Sequence, residues 1–170
     1  DPGDVDTGAN DLLNFPVITS AAETAGTVSV DFDLDVPAGS YRIEAFTNPS
    51  GADGTGYGEG ETFQTAQTIA HTGSGTETFQ LTYTGTDTDI ITLTTTEDLG
   101  GGNYGSTSEF SQAVAVTTVA VVNSTGDTGD ATPGDNICDT GGTNSEGADE
   151  CTLRAAIEEA TASANVDTIH

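Results

Sequence analysis

The composition of the chain disfavours one deep hydrophobic core: of 170 residues, 34% are hydrophobic and 6% aromatic, with no Trp and no Met. Typical globular domains are roughly 45–50% apolar, so thin sandwiches, in which each strand buries one face, fit this chain better. Two Arg stand against 28 acidic residues, for a net charge of −26. Because phosphate recognition requires Lys or Arg, this balance excludes nucleic acids and anionic membranes as partners. No apolar run reaches the roughly 20 residues of a membrane-spanning helix, so no membrane insertion is expected.

The acidic residues have two interpretations. Either they bind hard cations such as calcium, which takes carboxylate and carbonyl oxygens, or they form a solvated coat suited to high salt, which screens their mutual repulsion. We apply the calcium interpretation to two acidic clusters and keep the solvated coat for the other acids.

Residues 1–14 consist mainly of turn formers and carboxylates, which predicts an acidic linker or metal loop. The first cluster lies here, with the pattern D-x-D-x-G-x-N-D formed by Asp4, Asp6, Asn10 and Asp11. It lacks the distal Glu of an EF-hand loop. We therefore expect a calcium-stiffened hinge of another kind.

Residues 15–116 alternate between apolar and polar side chains, as half-buried strands do. In the clearest run, residues 27–36, the apolar positions are Val28, Val30, Phe32, Leu34 and Val36. Seven such runs are found, at 16–21, 27–36, 41–48, 62–72, 77–84, 89–96 and 108–116. Seven short strands within about a hundred residues predict an immunoglobulin-like antiparallel β-sandwich, with a small barrel as the alternative. We expect Arg42, the one cation of this region, to pair with Glu59 or Glu61.

The pattern of residues 117–170 predicts a strand at 118–123, an acidic disulfide loop, a helix at 152–163 and the start of another strand at 167–170. The helix follows from apolar residues at i, i+3, i+4 and i+7, which are Leu153, Ala156, Ile157 and Ala160. Thr152 is the expected N-cap.

The second acidic cluster lies in the loop before this helix and comprises Asp127, Asp130, Asp135 and Asp139. Gly and other small residues between these acids let the backbone curl around one ion, so we expect calcium here as well. The alternative is a flexible, solvated loop. A disulfide between Cys138 and Cys151 would hold the loop against the helix and indicates an oxidising, extracellular location.

No residues predict catalysis within this chain. Paired carboxylates serve glycosidases, but among 28 acids some pairing is unavoidable and carries no specificity. We therefore expect the chain not to be an enzyme.

The sequence Asp149-Glu-Cys-Thr-Leu-Arg-Ala-Ala-Ile-Glu-Glu-Ala160 resembles the CSLREA-type domain, which opens right-handed parallel β-helix proteins on microbial surfaces. The sandwich module found in the same proteins is similar to residues 1–8, 14–17, 41–44, 56–60 and 107–111. The resemblance implies that residues 117–170 are similar to the N-terminal cap of a β-helix. It brings no catalytic residues.

This chain departs from the family pattern at the helix start. The pattern Cys-Ser-Leu-Arg-Glu-Ala carries a capping box, in which Glu returns a hydrogen bond to the cap. Here Thr152 keeps the cap but Ala155 replaces that Glu. The helix start is therefore expected to depend more on the disulfide.

Together these features predict an extracellular structural module of a microbial surface protein, stalk or filament, stiffened by calcium. We expect it to assemble head-to-tail with copies of itself or with adjacent domains of a longer chain. The alternatives are a carbohydrate- or surface-binding adhesin module and an accessory domain of a polysaccharide-degrading enzyme. Carbohydrate binding would have to use the four Tyr as platforms, because Trp is absent.

Overall fold

A computed structural model describes residues 9–85, 90–163 and 166–170. The described strands are β1 (Val17–Thr24), β2 (Thr27–Leu34), β3 (Gly39–Asn48), β4 (Thr62–His71), β5 (Glu77–Thr84), β6 (Ile90–Gly100), β7 (Asn103–Thr107), β8 (Val114–Ala115), β9 (Thr117–Ala120) and β10 (Val166–Ile169). The described helix is α1 (Leu153–Ala162). The first sheet has the order β10-β9-β1-β2-β5, and the second has the order β4-β3-β6-β7, with β8 also paired to β6.

The two sheets share one hydrophobic core, which confirms the predicted β-sandwich. The inward positions of β2 are Val28, Val30, Phe32 and Leu34, and they pack with Ile43 of β3, Leu81 of β5, and Ile91 and Leu93 of β6. Between them, Asp31 and Asp33 lie on the outer face of β2, as the alternation predicts.

The stretch 108–116 was predicted to be one strand, but within it only Val114 and Ala115 form a ladder with β6. Upstream, two serine hydroxyls accept hydrogen bonds from β6: Ser108 Oγ from Thr95 N and Ser111 Oγ from Leu93 N, both at 2.9 Å. Side-chain hydroxyls thus satisfy backbone donors that a regular strand would pair through its carbonyls. A turn at residues 100–103 leads from β6 into β7, a strand that the alternation of apolar and polar residues did not predict.

Two glycines let the segment 56–60 lie across the outer face of β6. A Cβ atom on Gly58 would stand 1.9 Å from Thr92 Cγ2, and one on Gly60 would stand 2.9 Å from the ring of Phe110. The Thr92 hydroxyl donates to the carbonyl of Glu59 at 3.0 Å. The segment therefore covers Thr92, which is fully buried.

Residues 117–170 extend the first sheet. β9 pairs in parallel with β1, through Ala22 with Thr117 and Glu23 with Thr118. β10 then pairs in parallel with β9. Since parallel neighbours require a long crossover, the acidic loop and α1 serve as the connection between β9 and β10.

Candidate functional site

The acidic loop is covalently joined to the start of α1. Cys138 and Cys151 form the predicted disulfide, with Cα atoms 5.4 Å apart. Cys151 is buried against Ala120 and Ala156, so the bond lies in the small core beneath the helix. The disulfide holds the middle of the loop beside the N-cap.

Thr152 caps α1, as predicted. Its Oγ1 accepts a hydrogen bond from Ala155 N at 3.1 Å and donates one to the carbonyl of Thr128 at 2.6 Å. Ala155, which stands where the CSLREA-type pattern has Glu, is fully buried. The cap therefore connects the helix to the loop.

The buried face of α1 differs from the predicted apolar stripe. Ala156 is buried and Ala160 is partly buried, but Leu153 and Ile157 are 55% and 51% exposed. The buried face carries Ala155, Ala156 and Glu159. Glu159 is fully buried, although it is ionisable.

The Glu159 carboxylate is the centre around which the loop is folded. Its Oε2 accepts a hydrogen bond from Gly134 N and its Oε1 accepts one from Asn136 N, each at 2.5 Å. Bonds from backbone N–H groups to a carboxylate are charge-assisted and stronger than neutral ones. The loop thus surrounds a carboxylate with amide donors.

Two further glutamates fix the ends of the loop. Glu150 accepts from the hydroxyls of Ser124 at 2.5 Å and Thr140 at 2.9 Å, and these bonds hold the pKa of its carboxyl below the usual range. Glu158 accepts from Asp130 N at 2.9 Å. Together with Glu159 they hold residues 124–142 through hydrogen bonds.

Of the four predicted calcium ligands in this loop, Asp127 is paired with an arginine. Both of its carboxylate oxygens accept from Arg154, at 2.8 Å each, and this contact lowers the pKa of Asp127. The pair is largely exposed, at 51% for the Arg154 side chain and 80% for that of Asp127.

The other three candidates form local turns. Oxygens of Asp130, Asp135 and Asp139 accept from the backbone N–H groups of Thr132, Ile137 and Gly141, respectively. Asp130 also accepts from Asp139 N at 3.2 Å. Burial raises the pKa of Asp130; backbone hydrogen bonds oppose this rise, and the nearby charges of Glu159 and Asp135 add to it.

No group of three or more acidic, His or Cys side chains within residues 9–85, 90–163 and 166–170 is arranged to hold a metal ion. In the N-terminal cluster, Asp4 and Asp6 lie outside the described residues. Asn10 and Asp11 form part of the turn Ala9–Leu12, and Asp11 accepts from the Ser106 hydroxyl at 2.8 Å. Calcium binding at either cluster therefore stays a prediction.

Elsewhere too, acids are partnered by neutral donors. On the outer face of the first sheet, Asp31 accepts from Ser20 and Gln80 at 2.8 Å each, and Asp33 from Thr78 at 2.7 Å. Arg42 does form an ion pair, but its partner is Glu44 at 2.9 Å rather than Glu59 or Glu61. Both arginines of the chain therefore form ion pairs with acidic side chains.

The sequence interpretation missed Glu150, Glu158 and Glu159 because it sought metal ligands among the loop aspartates. The spacing held a signal for one of them. Glu159 lies three and four residues after Ala156 and Ala155, so it shares their buried side of the helix.

Comparison with family models, with curated proteins and with solved structures finds no match to this chain. The resemblance of residues 149–160 to the CSLREA-type domain therefore stays a prediction. None of the described helices is long and apolar enough to cross a membrane.

Proposed function

We propose that this chain is a structural module of an extracellular protein, such as a stalk, surface layer or filament, and that it associates through the edge of its first sheet that β10 forms. The observation that carries the proposal is the position of β10. It lies at one end of the sheet order β10-β9-β1-β2-β5, and among the described strands only β9 pairs with it. Unpaired strand edges are templates for pairing with another chain.

The hydrogen bonds of β10 indicate which backbone groups are available. His170 donates to the carbonyl of Ala120 at 2.9 Å and accepts from Val122 N at 2.7 Å, so its backbone groups face β9. Neighbouring residues of a strand direct these groups to opposite edges, so the N–H and C=O of Ile169 face outward. The Ile169 side chain is itself 37% exposed.

The disulfide and the surface charge support the extracellular part of the proposal. A disulfide within the small core is typical of oxidising environments. A surface of net charge −26 keeps copies apart at low salt and lets them approach when salt screens it. Association is therefore expected to increase with ionic strength.

Proline at position 169 tests the proposal, because it removes only the outward-facing N–H of β10. We expect the parent chain to associate at high salt in sedimentation velocity and electron microscopy, and Ile169→Pro to remain monomeric. Ile169→Ala, which keeps the N–H, is the matched control and should still associate. A parent chain that is monomeric at every salt and protein concentration would contradict the proposal.

Carbohydrate binding is the second candidate, and the exposure of two rings favours it. Tyr41 and Tyr83 are buried, but Tyr57 and Tyr104 are 43% and 51% exposed. Arg42 lies 5.8 Å from the centre of the Tyr104 ring, on the outer face of the second sheet. Calorimetric titration with a glycan panel distinguishes the candidates: binding that is lost in Tyr104→Ala supports the second one.

A further inference from the structure

A cleft of about 430 Å³ opens where β9 diverges from β1. The ladder between these strands ends at Glu23 and Thr118. Beyond that point, the turn from β1 to β2 forms one side of the cleft and residues 135–138 of the acidic loop form the other. The region lies away from the outward edge of β10, so it is independent of the association proposed above.

The cleft carries a buried carboxylate that no cation within residues 9–85, 90–163 and 166–170 compensates. Glu23 is 8% exposed, and its Oε1 accepts from Gly26 N at 2.6 Å. Both arginines are paired elsewhere, Arg42 with Glu44 and Arg154 with Asp127. Burial of a charge is costly unless a partner compensates it, so this position favours a positively charged group from outside.

Thr118, the ladder neighbour of Glu23, supplies an independent observation. It lines the cleft and is 6% exposed, and its hydroxyl is buried with no hydrogen-bond partner in the described part of the chain. A buried polar atom without a partner is uncommon in folded proteins. An external donor at the inner end of the cleft would satisfy it.

The outer part of the cleft is apolar, with acids at its rim. Val121 and Ile137 line it and are 46% and 55% exposed, and Asp135 and Asp149 stand beside them. The carbonyl of Val121 faces away from β10, because the groups on either side of it bond to His170. The cleft therefore combines a charged inner end, an apolar wall and additional acceptors.

We propose that this cleft binds a primary ammonium group carried on an aliphatic stem, the chemistry of a lysine side chain or of a free alkylamine. The ammonium has three donors and no acceptor, which suits the Glu23 carboxylate and the Thr118 hydroxyl. The stem lies along Val121 and Ile137. Calcium fits less well, because it takes about six to eight oxygen ligands. These 170 residues contain no Lys, so the ammonium group comes from outside them.

The test is titration of the isotope-labelled chain with n-pentylammonium chloride, followed through backbone amide resonances. We expect saturable shifts concentrated at Gly26, Thr118 and Val121. Equal concentrations of 1-pentanol and of sodium chloride should not reproduce them. Saturable shifts caused equally by 1-pentanol, or by calcium chloride, would overturn the proposal, as would the absence of any saturable shift.

Three variants sharpen the test. Glu23→Gln keeps an acceptor for Gly26 N but removes the charge, and should weaken binding about tenfold or more. Thr118→Val should also weaken binding, without lowering the melting temperature of the free chain, because the hydroxyl that it removes has no partner. Glu109→Gln, at an exposed carboxylate outside the cleft, should bind as the parent does. Unchanged affinity in Glu23→Gln would overturn the proposal even if the other variants behave as expected.

A second ligand distinguishes the two sources of the ammonium group. Nα-acetyl-lysine methylamide presents the side chain as a protein would, with a backbone that can meet the carbonyl of Val121. Tighter binding of this compound than of pentylammonium assigns the cleft to a partner protein. Tighter binding of pentylammonium assigns it to a free amine.

Discussion

Removal of the Glu159 carboxylate tests whether the acidic loop folds around this side chain. In Glu159→Ala, the N–H groups of Gly134 and Asn136 lose acceptors at 2.5 Å each. Hydrogen bonds to charged groups contribute about 1.5–3 kcal/mol apiece, but the loop can relax and let water reach these donors. We therefore expect a loss of about 3 kcal/mol in the free energy of unfolding. For a chain of this size, that loss lowers the melting temperature by about 6–12 °C.

Chemical denaturation and amide hydrogen exchange measure this effect globally and locally. Exchange at Gly134 and Asn136 should accelerate in Glu159→Ala. Exchange at the amides of β2 should change only as far as the global free energy of unfolding changes. Glu159→Gln keeps one acceptor and the side-chain volume, so about half the loss is expected. Glu158→Ala is the matched control on the same helix, because it removes a single bond, to Asp130 N, at a less buried position.

The opposite result has a clear physical meaning. Burial is the main cause that raises the pKa of Asp130, and the charges of Glu159 and Asp135 raise it further. Like charges therefore lie close together in this part of the loop. If Glu159→Gln were as stable as the parent, or more stable, repulsion would outweigh the two hydrogen bonds. The Glu159 carboxylate would then not be the group around which the loop folds.

Three other predictions concern packing, pH and metal. Gly58→Ala should destabilise the chain by about 1–3 kcal/mol in thermal or denaturant unfolding, because its Cβ would stand 1.9 Å from a Thr92 atom; Gly54→Ala, with nothing within 4 Å, is the control. The pKa of Asp130 is raised in the folded state, so the folded form binds its proton more tightly and this contribution to stability increases as pH falls. The parent should therefore gain stability relative to Asp130→Asn on acidification from pH about 7 to about 4, and a constant difference would contradict the sign. Calcium added to the chelated chain should raise the melting temperature by several degrees, and an unchanged melting temperature in moderate salt would leave the acids as a solvated coat.

The alternating strands could be predicted from the sequence because the burial of each side chain follows directly from its position. In β2, four apolar residues face the core and the intervening aspartates face outward, as period two requires. The helix and its Thr152 cap were predictable for the same reason, since both depend on neighbours within one turn. The Cys138–Cys151 disulfide, which lies within one loop, was likewise predictable.

Other features depend on contacts between distant residues, and local patterns do not contain them. The pairing of Thr117 with Ala22 joins residues about a hundred positions apart, so no periodicity indicates it. The stretch 108–116 has the composition of a strand, but Ser108 and Ser111 bond to β6 through their hydroxyls. Leu153 and Ile157 match a helical stripe but are exposed, whereas the neighbouring face with Ala155, Ala156 and Glu159 is buried. The hydrogen bonds between the loop acids and backbone N–H groups likewise depend on where the backbone passes, which local patterns do not show.

The parallel arrangement of β1, β9 and β10 has a mechanical consequence. Tension applied through Val17, at the start of β1, and through Ile169, at the end of β10, pulls these strands in opposite directions along their common axis. The hydrogen bonds between them are then sheared together rather than peeled apart one after another. Between β1 and β9 this ladder spans only two residue pairs, so these few bonds set the force at which the C-terminal segment slides off the sandwich.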